Sequence, residues 1–82
     1  MDREIELVTK FMETQSSIDG ICGFWVDDEK IDGEIAVYII IDSESITTNI
    51  DFVIKRFKYG IKSEIKKYLG LDVYVGSMAK KC

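Results

Sequence analysis

The feature that most constrains the fold is the run Glu34-Ile35-Ala36-Val37-Tyr38-Ile39-Ile40-Ile41-Asp42, which is apolar at both parities. Seven apolar residues closed by two acids fit a strand, because a buried helix needs ten or more. A strand sends alternate side chains to opposite faces. Ile35, Val37, Ile39 and Ile41 therefore form one set, and Ala36, Tyr38 and Ile40 the other. Such a strand belongs in the middle of a sheet, and both of its faces want cover.

The chain supplies little material for that cover. At 82 residues it makes one domain, 1–82, near the lower end of what folds on a single core. Residues 2–14 read as a helix, with Ile5, Val8 and Met12 at helical spacing and Leu7 and Phe11 widening the stripe. Residues 21–27 read as a strand and 28–33 as a turn carrying Asp32-Gly33, so 21–27 and 34–42 form an antiparallel hairpin. A long amphipathic helix is predicted over 46–69, capped by Ser45, Thr47 or Thr48. Its inner stripe is Ile50, Val53, Ile54, Phe57, Ile61, Ile65 and Tyr68. Gly60 within it marks close packing or a break, and Gly70 ends it. Residues 71–75 read as a third strand and 76–82 as a flexible basic tail.

The order is α-β-β-α-β. The long helix returns the chain to a last strand parallel to a hairpin partner. The expected fold is an α+β two-layer sandwich: a three-stranded mixed sheet with both helices on one face.

That leaves the second face open. If the odd-numbered set of the central strand meets the helices, then Ala36, Tyr38 and Ile40 face away. The hairpin partner adds either Cys22, Phe24 and Val26 or Ile21 and Trp25, and the last strand adds Val73 and Val75 or Tyr74. An apolar and aromatic patch on an open sheet marks an interface. Trp25, Ala36, Tyr38, Ile40 and Tyr74 are its expected members, and a homodimer is its simplest use.

Charge divides along the chain. Residues 1–51 hold thirteen acids and three bases, a net of −10, and residues 52–82 hold eight bases and two acids, a net of +6, which together give −4. The basic part concentrates in Lys55, Lys58, Lys62 and Lys66, with Tyr59 among them, on the outer side of the long helix. The stripe can track phosphates or simply be a solvated helix face, and the acidic remainder of the chain opposes nucleic acid. Asp27, Asp28, Glu29 and Asp32 crowd the hairpin turn.

The segment from Asp28 opens like an EF-hand loop, yet Lys30 stands where an oxygen ligand is needed and Ile39 where the closing Glu belongs. Gly20-Ile21-Cys22-Gly23 spells the G-x-x-G of KH domains but opens a strand instead of joining helices. Histidine is absent, Cys22 has no nearby base, and no phosphate loop occurs. Enzymatic activity, a metal and a cofactor are therefore not expected. No apolar run is long enough to span a bilayer. The expected location is the cytoplasm, with Cys22 and Cys82 as free thiols.

Ser17-Ile18-Asp19-Gly20-Ile21-Cys22-Gly23-Phe24, the strand ending at Asp42, Ser45-Ile46 opening the helix, and Leu71-Asp72-Val73-Tyr74-Val75 together resemble the cytosolic C-terminal domain of cation diffusion facilitator transporters. The likeness covers most of residues 4–75 and implies the fold and a dimer-forming habit. The metal-binding histidines of that family have no counterpart here, so metal sensing is not implied. The strand–helix–strand half also resembles the alkaline-shock protein family, which implies a scaffold.

Three functions follow as expectations. The first is a non-catalytic interaction or assembly module that dimerises through the open sheet face. The second is an acidic inhibitor or decoy, of phage type, for a basic nucleic-acid-handling protein. The third is nucleic-acid binding along the lysine face of the helix.

Overall fold

The structure is a computed structural model that describes residues 2–15, 20–45 and 50–81. Its elements run α1 (Arg3–Glu13), β1 (Ile21–Val26), β2 (Ile35–Asp42), a short 3-10 turn (Ser43–Ser45), α2 (Ile50–Leu69) and β3 (Val73–Lys80). The sheet order is β1-β2-β3, with β2 antiparallel to β1 and parallel to β3. The α-β-β-α-β order and the mixed three-stranded sheet are those the hydrophobic pattern requires. The predicted helix start at 46 and the caps at Thr47 and Thr48 lie outside the described residues.

Local chemistry sets the boundaries. Asp2 is the N-cap of α1 and accepts the Glu4 N–H at 2.8 Å. Asp32 and Gly33 both have positive φ, +52° and +81°, between the paired residues Ile31 and Glu34. This is the two-residue Asp-Gly turn whose twist suits a hairpin. Gly70, at φ +69°, closes α2 by donating its N–H to the Lys66 carbonyl at 3.0 Å.

One core cluster takes Ile5, Val8 and Met12 from α1, Ile54, Ile61 and Ile65 from α2, and Ile21, Ile35, Val37, Ile39, Ile41, Val73 and Val75 from the sheet. The odd-numbered set of β2 is thus the core-side set. Buried apolar side chains of this size each contribute about 1.5–3 kcal/mol, and they account for most of what holds the helices to the strands.

Four expectations need correction. First, Ile21 and Trp25 do not share a face. The register steps from Ile21↔Ile41 to Gly23↔Ile40, so Cys22 is an extra, bulged residue and the alternation flips there. Ile21 enters the core, while Trp25 stays exposed. Second, 76–80 is not a tail: β3 continues through Gly76 to Lys80, paired residue by residue with β2.

Third, the helix stripes are narrower than predicted. Leu7, Val53 and Tyr68 are exposed, and Phe11 and Phe57 pack on the margin of the core. Gly60 is neither a break nor a close approach, since α2 runs through it and nothing lies within 4 Å of where its Cβ would be. Fourth, Cys22 is disulfide-bonded instead of a free thiol. The chain's other cysteine is Cys82, which lies outside the described residues.

Candidate interaction surface

The face of the sheet turned away from the core cluster carries an aromatic row, one ring from each strand. Trp25 of β1 pairs across the ladder with Tyr38 of β2, and their ring centroids stack at 5.4 Å. Tyr38 meets Tyr74 of β3 edge-to-face at 6.2 Å. Such pairs are worth about 0.5–1.5 kcal/mol beyond the area they bury. Trp25 remains 47 % exposed and Tyr74 52 %.

Gly76 explains how this row fits. It pairs with Tyr38, and a Cβ built there would stand 3.0 Å from Tyr74 Cε1 and 3.1 Å from Tyr38 Cδ1 and Cε1. Both tyrosine rings therefore lie across bare β3 backbone, shielding a glycine that would otherwise weaken the strand. The same contact gives the physical reason why the strand persists past residue 75. Gly76 and Met78 are residues of this surface that sequence reasoning missed. A glycine opposite a tyrosine in a mixed sheet was the available signal.

Of the five expected interface residues, Trp25 and Tyr74 are exposed and Tyr38 and Ile40 are half-buried. Ala36 is the exception, being 1 % exposed although it belongs to no part of the core cluster. It pairs with Tyr74 on β3. Ile31, Asp32 and Glu34 of the turn close a small hollow against Tyr38 and Tyr74. Met78, half-buried opposite Ile40, completes the surface on β3.

The charged residues form two further regions. Lys55, Tyr59, Lys62 and Lys66 are exposed on α2, but Lys58 is half-buried on the flank of the stripe. Lys66 reaches Asp72 at 3.3 Å. Phe52 and Tyr59, 69 % and 76 % exposed, stand among Lys55, Arg56 and Lys62 on the outer side of the helix. An open groove of about 400 Å³ follows α2 past Phe52, Val53, Phe57 and Gly60.

In the hairpin turn Asp28, Glu29 and Asp32 are exposed, and Asp27 accepts the Glu29 N–H at 3.1 Å. Lys30 turns from this loop to α1, with Nζ 2.7 Å from Glu4 and 3.4 Å from Asp2. The ammonium is held above its ordinary pKa, chiefly by its hydrogen bond to Glu4. The Asp2 carboxyl is held below its ordinary value, chiefly by the Glu4 N–H. No group of three or more Cys, Asp or Glu side chains able to hold a metal occurs among the described residues. No helix among them is long and apolar enough to cross a membrane.

The fold is a small mixed α+β arrangement whose most distinctive surface is aromatic. Comparison with protein-family models, with curated proteins and with solved structures finds no match for the chain.

Proposed function

We propose that this chain is a non-catalytic protein-interaction module that works through the outer face of its sheet, with a second copy as its first partner. The observation that carries the reading is the Trp25–Tyr38–Tyr74 row: three rings joined through Tyr38, the outer two half open to water. Rigid aromatic side chains with few rotatable bonds are the residues on which interfaces concentrate their energy. The site offers shape and apolar area, edged by Asp32 and Glu34 of the turn. Composition supports a cytoplasmic location, and the Cys22 disulfide is the one observation that pulls against it.

Sedimentation of the full chain at micromolar concentration tests this reading. A dimer that becomes monomeric in Trp25→Ala or Ile40→Glu, with circular dichroism unchanged, supports it. A monomer in the unaltered chain sinks it.

A second reading has its own observation. Phe52 and Tyr59 interleave with Lys55, Arg56 and Lys62 on α2, the pattern of a surface that stacks bases and neutralises phosphates. Fluorescence anisotropy with labelled single-stranded RNA and DNA at low salt tests it, and absence of binding there ends it. The exposed acids of the hairpin turn support the third use, as a decoy for a basic protein. Capture lost by about 0.5 M salt is its signature.

A further inference from the structure

The two edges of the sheet are built differently. β1 is six residues long, carries the bulge at Cys22, and is approached by α1. Bulges and short length are the usual ways in which an edge is kept from pairing. β3 has neither. It is eight residues, Val-Tyr-Val-Gly-Ser-Met-Ala-Lys, in unbroken register with β2, with no proline and its single charge in the last place. Among the described residues no strand pairs with its other side. That side is a row of backbone donors and acceptors, without the bulge and short length that protect β1.

We propose that β3 pairs antiparallel with β3 of a second copy about a two-fold axis at Gly76, joining two sheets into one of six strands. The occupant follows from the charge and shape of the strand itself. Asp72, bridged to Lys66 of its own chain at 3.3 Å, stands just before β3, and Lys80 ends it. Antiparallel pairing centred on Gly76 sets each Lys80 opposite the second copy's Asp72, whereas a parallel pairing would align like charges. On the ladder side Lys80 already faces Asp42, so in the dimer it lies between two carboxylates. The same register places Tyr74 opposite the second copy's Met78 on the outer face, a sulfur–aromatic pair. Gly76 meets its own copy at the axis. The aromatic rows of the two copies then run end to end across a single surface.

This dimer is distinct from one made through the Trp25 face, and the same assay separates them. The association constant of the full chain is measured by sedimentation at about 50 mM salt, where screening is weak. The proteins compared are the unaltered chain, Asp72→Lys, Lys80→Asp, the double reversal, and Trp25→Ala. Edge pairing predicts about tenfold weaker association for each single reversal, since both symmetry-related pairs turn repulsive, and recovery to within about threefold in the double. Equal constants for all four charge forms, loss in the double as well as the singles, or a monomeric parent each overturn it. Loss in Trp25→Ala with indifference to charge keeps the face reading and removes the edge. Sensitivity to charge with indifference to Trp25→Ala does the reverse.

Discussion

β2 shows two ways to bury one strand. Ile39 is fully buried in the cluster that the two helices and the sheet share, while Ile40, the next residue, is half-buried and belongs to no part of that cluster. The first face is closed by distant parts of the chain. The second is closed by itself, through rings that lie on one another and on the bare backbone of Gly76. Long-range packing leaves nothing to offer a partner, whereas a self-covering face stays partly open and keeps its apolar area in reach.

The largest effect that tests this contrast is a pair of truncations one residue apart. Ile39→Ala removes methyl groups from a fully packed site and is expected to cost about 4 kcal/mol, while Ile40→Ala is expected to cost about 1 kcal/mol, because its surroundings are already partly water. Urea unfolding of both variants measures the difference. Equal costs would mean that the outer face is as well packed as the inner.

Next in size is the disulfide at Cys22, the bulged residue of β1. Loss of a disulfide from a domain this small typically costs about 2–4 kcal/mol. Cys22→Ser is expected to lower stability by that amount in non-reducing buffer, and the unaltered chain with reductant should fall to the same value. An unchanged midpoint on reduction would show that the covalent tie contributes nothing to the fold.

Gly76→Ala addresses the outer face alone. The added methyl meets ring atoms at 3.0–3.1 Å, so Tyr38 and Tyr74 must give way by a few tenths of an ångström. Overpacking of this kind costs about 1 kcal/mol where the neighbours are free to move. The readout is the near-ultraviolet dichroism of the tyrosines, expected to change while the far-ultraviolet signal stays. Unchanged tyrosine signals would place the rings elsewhere.

Element order and the inner set of β2 were legible, because period-2 and period-3.6 patterns are local and survive in the sequence. The two misreadings of the strands share one cause. A bulge at Cys22 and a glycine under two rings are each decided by the neighbouring strand: one inserts a residue against its partner, the other borrows cover from it. Neither leaves a periodic trace. The aromatic row was legible only in part. Trp25, Tyr38 and Tyr74 were named from alternation, but their contact depends on register, which the bulge resets. Ala36 shows the limit from the other side, since alternation sets its face and leaves its burial undetermined.

The smallest expected effect concerns the end of the molecule where the hairpin turn meets α1. Lys30 bridges to Glu4 and Asp2, with all three side chains partly open to solvent, so the tie contributes little to global stability. Its pH dependence nevertheless has a defined sign at each limb. The Asp2 carboxyl is lowered on folding, so its contribution is complete above the unfolded-state pKa and is lost as pH falls through the lower folded value. The Lys30 ammonium is raised, so its contribution is complete below the unfolded lysine pKa and is lost as pH rises through the higher folded value. The link therefore holds across the neutral range and fails at both extremes. Lys30→Met should raise the Asp2 midpoint in a carbon-13 NMR titration only part of the way to an ordinary aspartate, because the larger cause is the Glu4 N–H of the helix cap, which the substitution leaves in place. A full return to the ordinary value would mean that the lysine, and not the cap, holds that carboxylate.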